Sequence, residues 1–267
     1  MSVPTDQIVE EVAELRTTAV EHADSDTYEA YLGTNVDRGM RIGVGLLALE
    51  RVPEAKEWLR AVATALTDRL SPDPIEELKR LRDEYGYDDV REYDHDLVSW
   101  QRGALAAILS GDESTQHAVG ELIHTATTAD VVAHLENKWA EPRFDVDAAL
   151  GAALTSRDVA PHIEAARQQL ADSNCRAFHR GLYSPLVDGL EAIETADVET
   201  VVASIETLDE FHAANRQDYE TTTPLERFLN LEAMAMVTHA RQRGIPIEYA
   251  SKYVPESVSD PTFYPVG

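Results

Sequence analysis

Apolar residues recur at three- and four-residue spacing through nearly the whole chain, and that period admits helices and little else. "TDQIVEEVAELRTTAVEHA" opens with a Thr5/Asp6 cap and sets Ile8, Val12 and Leu15 on one face. "NVDRGMRIGVGLLALERV" reads as a second helix, with Gly39 and Gly43 four apart so that a neighbour can approach closely. Pro53 suits the first turn of a third helix, whose stripe is Leu59, Val62, Ala63, Leu66 and Leu70. Further helices are expected over "SPDPIEELKRLRDEYG", "DHDLVSWQRGALAAILSG", "STQHAVGELIHTAT", "ADVVAHLENKWA", "DVDAALGAAL", "DVAPHIEAARQQLAD", "SPLVDGLEAIE" and "DVETVVASIETLDEFHAANRQ". "PLERFLNLEAMAMVTHARQRG" is apolar most of the way round, the mark of a central buried helix. Only Ile245–Tyr249 and "TFYPV" look extended.

Breaks fall roughly every dozen to twenty residues, without a self-similar repeat. The expected fold is all-α: a compact multi-helix array of antiparallel helical hairpins with a short extended C-terminal tail. Residues 1–267 are expected to form a single helical domain, with a weak midpoint at 141–145 where Pro142 separates two helix-rich halves.

Charge narrows the partners. The chain carries 49 acidic against 23 basic residues, a net charge of −26. Nucleic acid binding needs clustered cations to displace phosphate counterions, and none are clustered here, so nucleic acid and anionic membrane are not expected partners. The acid is dispersed and lysine is scarce: Lys56, Lys79, Lys138 and Lys252 are all of it. That pattern suits molar salt, where self-repulsion is screened within a few ångströms, so a halophilic source is expected. Cys175 is the only cysteine, which fits a reducing cytoplasm. "MSVPTDQIVEE" has no basic region followed by an apolar run, so no signal peptide is expected.

Chemistry is sparse. No Gly-rich nucleotide loop and no GxSxG is present. Glu121/His124 and Asp209/His212 have the spacing of di-iron ligand pairs, but His117, Glu121 and His124 should face solvent while Asp209 and His212 face inward. No metal and no cofactor is expected. Cys175 and His179 could touch across one turn, yet no oxyanion hole or orienting group accompanies them, so a buried structural cysteine is the plainer reading. The tyrosine- and acid-rich connection "EYGYDDVREYDHD" (84–96) is a solvated loop or a recognition surface through Tyr87 and Tyr93.

The C-terminal stretch "RQRGIPIEYASKYVPESV" decides between a site and a fastening. Gly244 can close a helix in the left-handed conformation. Pro246 forbids its resumption, and Pro255 ends the tail. Ile245 and Ile247 alternate with Pro246 and Glu248, so one side can lie on the helices while Tyr249 and Tyr253 pack or project to a partner. With no convergent polar set, this is a docking tail.

"NLEAMAMVTHARQRGIPIEYASKYVPESV" (230–258) resembles the C-terminal signature of the immunity protein 49 family, all-helical partners of secreted polymorphic toxins. The positions that carry the resemblance are Ala233, Ala235, Arg243-Gly244, Ile245–Ile247, Ser251, Tyr253, Val254 and Pro255. It brings no catalytic residue with it. It implies a cytoplasmic, non-enzymatic protein that binds a cognate protein toxin and occludes it, with Tyr87, Tyr93, Tyr249 and Tyr253 as candidate contacts and the oligomeric state open. Two alternatives stand beside it. One is a helical-repeat scaffold that binds peptides on a concave surface. The other is a helical-bundle metalloenzyme using Asp209, His212 and Glu210.

Overall fold

The helical period is realised as helix over most of the described chain. A computed structural model describes residues 5–23, 32–69, 91–128, 141–215 and 224–263. In chain order the helices are α1 (Thr5–Ala23), α2 (Leu32–Ala48), α3 (Val52–Arg69), α4 (Arg91–Ser110), α5 (Glu113–Thr128), α6 (Glu141–Leu154), α7 (Ala160–Ala171), α8 (Ala177–Glu194), α9 (Val198–Asn215), α10 (Pro224–Phe228), α11 (Leu231–Gln242) and α12 (Glu256–Ser259). Among the described residues the only extended pairing is an isolated bridge between Ser251 and Val254. The fold is all-α, a compact array of helical hairpins. The expected helices over 71–86 and 129–140 lie outside the described residues, as do Leu70, Trp139 and most of "TFYPV".

Each hairpin buries the stripe that its sequence sets out. Ile8 and Val12 of α1 face α2, and Leu59, Val62, Ala63 and Leu66 of α3 are buried. Burying each leucine or isoleucine contributes about 1.5–3 kcal/mol. The glycines of α2 let α3 approach: a Cβ at Gly43 would stand 2.6 Å from the Leu59 side chain. α11 lies at the centre, with nearly every residue from Leu231 to Arg241 buried, and it packs on α4, α8, α9 and α12. In a repeat solenoid each unit meets only its neighbours, and a central helix of this kind has no place there. The weak midpoint is bridged by packing: α6 contacts α4 and α5 before it and α7 and α8 after it.

Four helices end in the same hydrogen-bond pattern. After α11, the Gly244 N–H donates to the Arg241 carbonyl and the Ile245 N–H to the Ala240 carbonyl, both at 3.0 Å, with Gly244 at φ 79°. This is a Schellman closure. Glu50, Ser156 and Ala196 close α2, α6 and α8 the same way at φ 58°, 55° and 55°. None of those three is glycine, so the sequence hid the conformation.

Several boundaries differ from expectation. α8 begins at Ala177, not at Ser184-Pro185, and Pro185 sits buried inside it. Residue 181, whose carbonyl a proline ring at 185 crowds, is a glycine that lets the Phe211 ring lie close. "PLERFLNLEAMAMVTHARQRG" is two helices, not one. The chain breaks at Leu229-Asn230, where the Asn230 side chain caps α11 by accepting from the Ala233 N–H at 3.2 Å. α4 begins at Arg91, so the second half of "EYGYDDVREYDHD" belongs to a helix and not to a connection. Val198 is exposed and Val202 half-buried, leaving Val201, Ile205 and Leu208 as the core of α9. Ile245–Tyr249 forms no strand ladder, but the alternation holds: Ile245 and Ile247 are buried while Pro246 and Glu248 are exposed.

Candidate functional site

Two polar regions meet around α9 and α11, and they are built differently. The first is the fastening of the tail. Arg241 is only 2% exposed although it sits in the last turn of the central helix. Its guanidinium donates to the carbonyls of Ile247 (3.0 and 2.7 Å), Val258 (2.6 Å), Ser259 (2.6 Å) and Asp260 (3.2 Å). A helix end leaves its last carbonyls without intrahelical partners, and Arg241 supplies them for α12 while gripping the chain after α11. Burial pulls the Arg241 pKa down, and Asp260 and Glu248 act against that.

Asp209 of α9 makes the second tie. One carboxylate oxygen accepts from Asn230 Nδ2 at 2.8 Å and the other from the Tyr249 hydroxyl at 2.6 Å. The Asn230 N–H donates to the Tyr253 carbonyl at 3.0 Å. Burial, then the bond to Asp209, pushes the Tyr249 hydroxyl above its ordinary pKa, so it stays a donor. The Tyr253 ring packs edge-on against His212, centroids 4.8 Å apart. Ser257 Oγ donates to the Leu47 carbonyl at 2.7 Å, which anchors the tail on α2.

The candidate residues therefore separate. Tyr253 is 4% exposed, so its ring is committed to the tail's own packing and offers no face to a partner. Tyr249 is half-buried, with its hydroxyl engaged. Tyr87 lies outside the described residues, and of Tyr93 only its place in the first turn of α4 is described. Gly244 closes α11, Pro246 lies exposed in the tail, and Pro255 precedes α12 as its N-cap.

Both Asp209 oxygens are occupied by donors, and among the described residues no group of three or more His, Cys, Asp or Glu could hold a metal ion. His117 is exposed, and Glu121 is held by Arg157 at 2.8 Å, whose hydrogen bond lowers the Glu121 pKa. Cys175 precedes α8 instead of sharing a helical turn with His179, and it is half-buried, not buried; its thiol lies 3.7 Å from the Arg176 carbonyl.

The second region is a cleft of about 250 Å³ between α2, α4, α6, α8, α9, α10 and α11. Arg41, Arg102 and Arg143 line it, from three helices, and among the described residues Glu232 is the sole acid of its wall. Arg41 is paired with Glu11 at 2.7 Å, whose other oxygen accepts from the Leu225 N–H at 2.9 Å; Arg102 stands 3.7 Å from Asp37. Arg143 makes no ion pair to a described carboxylate. Nε of Arg143, Nε of Arg41 and Nε2 of the buried Gln101 have no hydrogen-bond partner. At the rim, Phe178 is 41% exposed and meets Phe211 edge-on with centroids 5.2 Å apart. One turn along α6 from Arg143, Asp147 is wholly buried with neither oxygen bonded, and burial pushes its pKa up to about 7 against the pull of Arg143. Tyr183 on the cleft wall is raised to about 12 by burial.

A sequence model described as immunity protein 49 matches residues 10–258. The chain belongs to that family. No curated protein and no solved structure matches it. The immunity protein 49 match extends far beyond the tail signature and takes in both polar regions, from Arg41 at the cleft to Val258 under Arg241. Members of an immunity protein family act in toxin systems and are generally not enzymes. No described helix is long and apolar enough to cross a membrane.

Neither the tail's ties nor the cleft was legible as a site. Asp209 and His212 stood out by spacing, but Asn230, the partner of Asp209, was hidden inside what read as one helix. An Asn before "LEAM" is an N-cap signal that could have exposed the break. Arg241 is an arginine on a helix that is apolar all round, which itself points to a buried, fully bonded guanidinium. The cleft's arginines come from distant segments, and no local pattern joins them.

Proposed function

We propose that this immunity protein binds a cognate toxin domain in the cytoplasm of the producing cell and neutralises it by occluding its active surface. The family match over 10–258 carries the reading. The chemistry agrees with it: the polar cluster with catalytic spacing is consumed in holding the tail, and the open polar region is a cleft with unspent donors. The chain works as one domain, and its dispersed acidity is an adaptation to molar salt. Electrostatic attraction to a basic toxin is then weak, so apolar and hydrogen-bonded contacts dominate the affinity.

The test is capture by the tagged protein from its host's lysate in molar salt. The captured protein is then expressed in a sensitive cell with and without this chain. A stoichiometric partner that arrests growth alone and is silenced by co-expression is the expected result. A partner whose toxicity persists beside an equal amount of this chain would sink the reading.

A further inference from the structure

Among the described residues, the cleft gathers three arginines from separate helices and leaves donors beside it unsatisfied. Buried polar groups are almost always hydrogen-bonded, and an exception calls for an explanation. Three residues that line the cleft each hold a buried atom without a hydrogen-bond partner, Arg143 Nε, Arg41 Nε and Gln101 Nε2, and all three are N–H donors. Gln101 is 5% exposed, so its amide has no bulk water to turn to. Unsatisfied donors are complementary to a group that only accepts, and an ionised carboxylate does so at two oxygens. Arg41 and Arg102 are already matched by carboxylates of this chain, which leaves Arg143 as the charge to be answered.

Volume and rim describe what carries the carboxylate. Pockets for drug-sized ligands run to about 300–1,000 Å³, and this one, at about 250 Å³, is smaller. It suits one or two side chains. Phe178 stands exposed at the mouth, braced by Phe211, as an aromatic surface beside the charged floor. Pockets with an aromatic wall and a guanidinium are where protein interfaces concentrate their binding energy.

We propose that this cleft receives an acidic side chain of the toxin partner, whose carboxylate meets Arg143 and Gln101 and whose apolar neighbour rests on Phe178. The inference rests on the immunity reading and adds the contact chemistry to it. The charge pattern gives the contact its use. The chain as a whole carries a net −26 and repels acid, so the cleft's arginines give a toxin carboxylate a favourable seat. That fixes the register of the complex more than its overall affinity. A partly enclosed contact of this kind is screened by salt less than the open surface is.

The probes are 3-phenylpropanoate, its neutral amide 3-phenylpropanamide, and inorganic phosphate, each titrated by NMR at fixed molar KCl while the Phe178 and Phe211 rings are observed. The expected result is saturable binding of the carboxylate, with the amide at least about ten-fold weaker. R143Q is expected to weaken the carboxylate about ten-fold, one charge-assisted contact. Q101L, which keeps every charge, is expected to weaken it about three-fold and controls for misfolding of R143Q. Equal binding of acid and amide, or no effect of either variant, overturns the inference. Phosphate binding where 3-phenylpropanoate does not bind makes this a phosphate site and also overturns it. In the second arm, R143Q is expected to bind the captured toxin domain about ten-fold more weakly than wild type. Unchanged toxin affinity overturns the inference and leaves the immunity reading standing. If wild type neutralises no toxin, the immunity reading fails, and the inference falls with it even where 3-phenylpropanoate binds.

Discussion

The tail fastening and the cleft share α9 and α11, are both rich in polar side chains, and treat those side chains in opposite ways. Around Arg241 and Asp209 the donors and acceptors meet: the guanidinium reaches four carbonyls, and each Asp209 oxygen takes one donor. Around Arg143 they do not. Its Nε is unbonded, Gln101 Nε2 is unbonded, and Asp147 one turn away has no hydrogen bond at all. A satisfied buried network stabilises one conformation, and an unsatisfied one retains free energy that a partner can release. Hydrogen bonding is complete at Arg241 and Asp209 and incomplete at Arg143 and Gln101, and that separates these clusters more than residue type does, although the Thr238 hydroxyl of α11 is unbonded as well.

If that distinction is correct, the largest effect on stability comes from the satisfied side. Arg241→Ala strands four carbonyls and removes the grip on α12, and should cost about 4 kcal/mol, near the upper end for point substitutions. Arg241→Lys should recover only part, because an ammonium cannot spread five bonds across that arc. Urea titration at fixed salt measures both. A loss under about 1 kcal/mol for the alanine variant would remove the tail from the role assigned to it.

Next in size is the pH response of the unsatisfied side. The folded Asp147 carboxyl titrates at about 7 against an ordinary 3.8. The folded state therefore holds a proton that the unfolded chain releases. This contribution is fully present below about 3.8 and is lost as pH rises to 7. His239, buried in α11, has its pKa lowered to about 4 by burial, with Arg243 adding to the shift. Its contribution has the opposite sign: present above about 6.5 and lost as pH falls toward 4. The two oppose each other across the shared window, and His162 and His179, also lowered by burial, add to the His239 side. Asp147→Asn removes one limb. Relative to wild type, the variant should gain about 3 kcal/mol between pH 4 and 7, at up to about 1.4 kcal/mol per pH unit. Parallel stability curves for the two proteins would mean that Asp147 is ionised and satisfied.

How far the sequence could be read follows the same division between local and distant information. Helix faces were legible because they depend on neighbours three and four residues away. The α2 glycines and the Ile245/Ile247 alternation came through intact. The C-terminal signature was legible because it lies within a single stretch. Pro185 misled because a proline usually starts a helix, and here it lies inside one. The Asn230 break was masked by apolar residues on both sides. Arg241, Asp209 and the cleft's arginines acquire their roles from partners far along the chain, and periodicity carries no such information. Tyr253 could be read as packing or projecting, and distant packing on His212 is what buries it.

Helix closure offers a smaller, paired test on the structural side. Gly244 and Ala196 occupy the same position of the same motif, at φ 79° and 55°. Left-handed backbone costs a residue with a Cβ about 1 kcal/mol relative to glycine. Gly244→Ala meets no atom within 4 Å, so conformation alone sets its loss at about 1 kcal/mol. Ala196→Gly should gain nearly as much. Thermal melts that move the same way for both variants would show that contacts, not backbone, control these turns.

The smallest expected effect is the most diagnostic, because it lies on the cleft. Gln101→Leu exchanges a buried amide with an unbonded Nε2 for an apolar group of similar size. Removing an unsatisfied donor relieves a desolvation cost, so stability should be unchanged or rise by up to about 1 kcal/mol. The same substitution at a satisfied amide, Asn230→Leu, removes the α11 cap and the bond to Asp209 and should cost at least about 2 kcal/mol. The pair places one kind of side chain in both regions and asks whether the sign differs. A loss for Gln101→Leu comparable to that for Asn230→Leu would mean that the Gln101 amide is bonded in solution. The cleft would then be a second structural network, and the contrast on which its binding role depends would disappear.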